Sequence, residues 1–114
     1  SESTSEKPLL LQNLQTCSAL ILHEGFYLFS SEEVLPVALC SITGTLLPGK
    51  LTTIYLETPL QFACPNVTFQ GSTSFRSRKQ TPCVQGLHSM IRVADGANLS
   101  FRDCSSDTFG GGIS

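Results

Sequence analysis

The chain is 114 residues long and only 14% charged, with a net charge of -2 and a pI near 5.5. That length allows one small domain, and the charge balance gives no basic footprint for nucleic acid. No apolar run approaches the roughly 18 to 20 residues needed to cross a bilayer as a helix, so this segment is not expected to span a membrane.

Residues 1–8, opening Ser1-Glu2-Ser3-Thr4-Ser5-Glu6-Lys7, read as a polar leader or linker. Pro8-Leu9-Leu10-Leu11 is shorter than a signal-peptide core of about 7 to 15 residues, which places any targeting segment outside this chain. Residues 9–114 read as a single β-rich domain. Its best helical candidate, Leu9 to Leu22, is diluted by Thr16-Cys17-Ser18. Strand character follows in Gly25 to Phe29, Val34 to Ile42, Leu51 to Leu56, Asn66 to Phe69, Met90 to Val93 and Asn98 to Phe101. These are short runs of branched and aromatic residues. Turn chemistry separates them at Leu47-Pro48-Gly49-Lys50, Thr58-Pro59, Cys64-Pro65-Asn66 and Asp95-Gly96. Pro36 sits inside an apolar run, where its missing N–H predicts an edge strand, a bulge or a break.

The five cysteines, Cys17, Cys40, Cys64, Cys83 and Cys104, are 23, 24, 19 and 21 residues apart. None forms a CxxC pair, so no structural zinc site is expected, and the odd count denies a fully closed disulfide framework. Three strands of about five residues and three turns of about two to four total roughly 21 to 27 residues. The cysteine interval therefore fits one coil of a three-sided β-solenoid. Coils stacked about 4.8 Å apart would place successive cysteines near the lower limit of disulfide separation. Parallel side-chain vectors favour a ladder of free thiols instead.

No constellation points to catalysis. Cys83 and His88 lack an orienting partner at a recognisable position, His23-Glu24 lacks further metal ligands, and Glu32-Glu33 is the only adjacent acidic pair. No catalytic residue, metal or cofactor is expected. Arg76-Ser77-Arg78-Lys79 is the one basic cluster. It reads as an exposed loop, with Arg76, Arg78 and Lys79 as candidate contacts for an acidic or sulfated surface, or as a site of proteolytic nicking. Asn66-Val67-Thr68 and Asn98-Leu99-Ser100 are formal glycosylation sequons, which carry weight only in a eukaryotic secreted protein.

Phe101-Arg102-Asp103-Cys104, followed by Gly110-Gly111-Gly112-Ile113, resembles the paired FxxN and GGA[ILV] repeats of the chlamydial polymorphic outer-membrane proteins. Phe69-Gln70-Gly71-Ser72 resembles a second, degenerate FxxN element. Cys104 and Ser72 stand at the Asn position, and Gly112 replaces the Ala. The resemblance implies an all-β fold: a right-handed parallel β-solenoid fragment with an irregular N-terminal capping region, part of a longer autotransporter passenger. It further implies a non-catalytic adhesin on the extracellular side of the bacterial outer membrane. The partner would be a host-cell surface protein or glycan, with self-association as a second kind of contact. Phe69, Phe101, Cys104, Gly110, Gly111, Gly112 and Ile113 would then be structural: aromatics stacking between coils, glycines permitting close approach at corners. The alternative is a eukaryotic or viral extracellular β-sandwich binding domain with two disulfides.

Overall fold

A computed structural model describes residues 7–8, 18–86 and 90–104, and every regular element among them is a strand. In chain order these are β1 (Lys7–Pro8), β2 (Ala19–Ile21), β3 (Gly25–Phe29), β4 (Ser41–Thr43), β5 (Thr52–Leu56), β6 (Leu60–Phe62), β7 (Asn66–Gln70), β8 (Ser72–Ser77), β9 (Val84–Gly86), β10 (Met90–Val93) and β11 (Asn98–Arg102). All ladders between them are parallel, and no two consecutive strands pair.

That pairing defines the path of the chain. β2 lies in a four-stranded sheet (β10-β7-β4-β2) and β3 in a five-stranded sheet (β1-β3-β5-β8-β11). Leu35 then bridges to Phe62 on a third side, where β6 pairs with β9. The same order of sides recurs in β4-β5-β6 and β7-β8-β9, and β10-β11 begin it again. The fold is the three-sided parallel β-solenoid expected from the sequence, with three turns and two sides of a fourth. On the five-stranded sheet Tyr27 sits on Ile54, Ile54 on Phe75 and Phe75 on Phe101, steps of 27, 21 and 26 residues.

Alternation along each strand fills the interior. Phe29, Ile54, Leu56 and Phe75 enter from the five-stranded sheet, Ile42, Val67, Phe69 and Ile91 from the four-stranded sheet, and Leu60, Phe62 and Val84 from the third side; all are 4% exposed or less. Burying each such side chain contributes about 1.5–3 kcal/mol. Phe69 and Phe75 meet edge to face at 5.6 Å, and Phe75 stacks on Phe101 at 5.5 Å. Phe69 and Phe101 therefore pack as the aromatics of the repeat-like elements were expected to. At the corner between the four- and five-stranded sheets, Gly71 lies against Gly44. A Cβ on Gly71, whose φ is +72°, would come within 2.6 Å of the Gly44 carbonyl oxygen. The Thr52 hydroxyl ties the same corner, accepting from Thr45 N–H and donating to His23 C=O, both at 2.9 Å.

The cysteines differ from expectation. Cys40 is bonded to Cys64 and Cys83 to Cys104, with Cα atoms 5.5 and 5.4 Å apart, so these four form no free-thiol ladder. The reason is register. Ser41 pairs with Thr68, which puts Cys40 level with Val67 and three positions beyond Cys64. The bonded cysteines occupy non-equivalent positions at corners, where the turning backbone brings their side chains together. One bond joins the second coil to the third and the other joins the third to the fourth. The solenoid also replaces the β-sandwich of the alternative reading, while keeping its two disulfides.

Three local expectations resolve as follows. The run around Pro36 breaks: Leu35 makes a single bridge, a turn bonded from Leu39 N–H to Pro36 C=O follows, and β4 starts at Ser41. The end of the Leu9 to Leu22 helical candidate is strand β2. Lys7 and Pro8, assigned to the leader, pair with Tyr27 and Leu28 at the edge of the five-stranded sheet. Residues 9–17, including Cys17, and His88, Gly110, Gly111, Gly112 and Ile113 lie outside the described residues.

Candidate functional site: an arginine strip on the five-stranded sheet

Because Ile54 and Phe75 point inward, Tyr55 and Arg76 point outward, and register places them in one column. Leu28 lies on Tyr55, Tyr55 on Arg76 and Arg76 on Arg102. Rungs of a sheet are about 4.8 Å apart, so the column forms an even row across the strands. Arg76 was expected in a loop; it belongs to β8 instead, and only Arg78 and Lys79 lie in the turn that follows.

Neighbouring groups hold the arginines in place. Tyr55 stacks on Phe26 of the preceding coil, centroids 6.0 Å apart, and the Arg78 guanidinium of the following coil lies 4.4 Å over the Tyr55 ring. Such a cation–π contact contributes about 0.5–1 kcal/mol at an exposed position. Arg78 N–H also donates to Leu56 C=O at 2.8 Å. Arg76 pairs with Asp103 at 3.3 Å, both side chains being substantially exposed. A surface pair of this kind adds little stability, but it fixes where the guanidinium sits. Asp103 reaches it from a backbone with φ +59°, a conformation Asp tolerates better than most residues.

The turn itself is anchored at both ends. Buried Ser77 accepts a hydrogen bond from Thr81 N–H at 2.9 Å, and Gln80 takes φ +55° to close the turn. Cys83, fully buried, is bonded to Cys104, which follows Arg102 and Asp103 directly. One disulfide therefore clamps both basic segments of the strip. Lys79 departs from the arginines and lines a separate recess with Glu32, Glu57 and Thr81. Of the sequence candidates, Arg76 and Arg78 come together and Lys79 faces elsewhere. Tyr55, Arg102 and Asp103 join them unannounced, because their link to Arg76 is a register that only the fold reveals.

The other candidate chemistry is placed as follows. The Cys83 sulfur is bonded and cannot serve as a thiolate nucleophile in this state. Glu24 pairs with Lys50 at 3.7 Å. Among the described residues no three His, Cys, Asp or Glu side chains gather to hold a metal ion, and no helix is long and apolar enough to cross a membrane. A second surface feature lies where the four- and five-stranded sheets meet. There Ile21, Leu46 and Leu47, all well exposed, line an apolar hollow. Compared with known proteins, the chain matches no family model, no curated protein and no solved structure.

Proposed function

We propose that the chain is a segment of a surface-displayed autotransporter passenger that acts as an adhesin, binding host-cell components without any catalytic step. The observation that carries this reading is the arginine strip held on a rigid, cross-linked solenoid. A binding surface of this kind needs preorganised contacts and no nucleophile or metal. Two disulfides agree with a location outside the reducing cytosol, on the extracellular side of the outer membrane. The C-terminal motif resembling outer-membrane protein repeats supports the same setting.

Beads coated with the oxidised chain test the proposal on cultured host cells. Attachment above that of blank beads is expected, with most of it lost in an Arg76→Ala, Arg78→Ala, Lys79→Ala variant. It should be retained in Arg92→Ala, whose side chain is exposed on the four-stranded sheet. Coated beads that attach no better than blank ones would sink the adhesin reading.

A second reading keeps the disulfides but sets the chain in a eukaryotic or viral extracellular binding module. It is favoured by Asn66 and Asn98, the acceptors of the two sequons, which are both exposed at the first position of a strand. A mass decrease on enzymatic N-deglycosylation of the protein from its native source selects this reading, and an unchanged mass rejects it.

A further inference from the structure

The geometry points to a linear anionic polysaccharide, carrying sulfate or uronate groups, as the ligand of the arginine strip. The inference rests on reading this face as the adhesive surface and names the chemistry that surface takes.

Charge is the first argument. The chain as a whole is net negative at -2, yet three of its four arginines, Arg76, Arg78 and Arg102, gather on this strip. Asp103 is the one acid ion-paired there. A local reversal of charge on an otherwise acidic chain marks an anionic partner. The cations are also all arginine, whose planar fork engages sulfate and carboxylate with two parallel hydrogen bonds, where lysine offers a point charge.

Shape is the second. A parallel sheet presents its outward side chains in straight rows, and here one row runs Leu28, Tyr55, Arg76, Arg102. A polymer crossing the strands meets a new side chain at each rung, about every 4.8 Å, a spacing of the same order as one sugar unit. A compact anion would use one rung, whereas an extended chain with a charge on each unit uses several. Tyr55 and Phe26 add an apolar band at one end of the row, against which the C–H face of a pyranose ring can lie.

The aromatic pair also argues against nucleic acid. Platforms for single strands offer ring faces for bases to stack on. The Tyr55 ring is already engaged by Phe26 and by Arg78, so it positions a guanidinium in place of a base.

Fluorescence polarisation with the oxidised 114-residue chain provides the test, using a labelled heparin octasaccharide, a neutral dextran oligomer and an oligothymidylate of similar length. The octasaccharide should bind, and dextran should not. Its affinity should fall about tenfold or more between roughly 50 and 200 mM salt, as counterion release from a polyanion requires. Arg76→Ala with Arg78→Ala should weaken binding at least about tenfold, and Arg78→Lys should recover only part of it. Asp103→Asn removes the one competing carboxylate and keeps a residue that accepts positive φ; it should strengthen binding a few-fold, an outcome that a merely structural role would reverse. Arg92→Ala serves as the unchanged control, and thermal melts establish that each variant is folded. Failure of the octasaccharide to bind, equal binding of the oligothymidylate, or equal losses in Arg92→Ala would each overturn the inference. If coated beads still attach to cells whose sulfated glycans have been enzymatically removed, the ligand class is wrong and the adhesin reading survives. If the octasaccharide binds but the beads attach to no cell, the adhesin reading falls while the chemistry of the strip stands.

Discussion

Gly71 and Gly49 both adopt left-handed backbone, with φ of +72° and +75°, but only Gly71 is enclosed. Its missing Cβ leaves room for the carbonyl of Gly44 in the coil before, while the corresponding space at Gly49 is open. The two therefore separate conformational strain from inter-coil packing. Gly49→Ala should cost about 1–2 kcal/mol, the penalty of a left-handed residue with a Cβ. Gly71→Ala carries that penalty plus a backbone clash that no side chain can relieve, and should cost about 3 kcal/mol or more. Urea denaturation of both variants measures the difference, and equal losses would mean that close approach at this corner matters little. Gly71 lies within the degenerate Phe69-Gln70-Gly71-Ser72 element, so the close approach expected of the motif glycines is found at a described corner.

At the level of elements, the Cys83–Cys104 bond spans 21 residues and holds the turn after β8 against the end of β11. By loop-closure entropy a crosslink of that span stabilises by about 3 kcal/mol. Replacing both cysteines with serine should remove about that much. It should also open the Arg78–Lys79 peptide region to trypsin, since the remaining anchor is the Ser77–Thr81 hydrogen bonding. Limited proteolysis followed by mass spectrometry reads this directly, and identical cleavage rates in the oxidised parent and the variant would contradict it. Much of this architecture was legible in the chain. β3, β5, β7, β10 and β11 stand out through branched and aromatic residues, and the cysteine interval matches the coil length. β8 was not legible, because Ser72-Thr73-Ser74-Phe75-Arg76-Ser77 offers a single apolar residue. It is nonetheless an interior strand of its sheet, paired on both sides and anchored by Phe75. β6 and β9, three residues each, are too short for a periodic signal. The basic cluster was visible as a run of charges, but the strip was not. Tyr55 and Arg102 reach Arg76 across rungs 21 and 26 residues away, and no local pattern encodes such contacts.

The whole molecule is close to one-dimensional: each coil touches the coils beside it, so stability is a sum of coil terms and nearest-neighbour terms. Among the described residues, β2, β10 and β11 pair on one side only, whereas β5, β7 and β8 are paired on both. The disulfides impose an asymmetry on this gradient. Cys40–Cys64 joins the second and third coils and Cys83–Cys104 the third and fourth, while no described bond joins the first coil to the second. Local opening should follow that order. In amide hydrogen exchange of the oxidised chain, β5, β7 and β8 should protect longest, β11 should come next, and β2 should exchange fastest. Reduction removes the clamp at one end alone. β11 should then lose protection by the same factor that separates it from β2, and with it the Arg102 and Asp103 end of the strip. β5 should change least, because its neighbours β3 and β8 hold it by register and by buried Ile54 and Leu56. Uniform protection across all strands would mean that the chain unfolds as a single cooperative unit, and a loss at β5 equal to that at β11 would mean that the crosslinks, more than the stacking, hold the coils together.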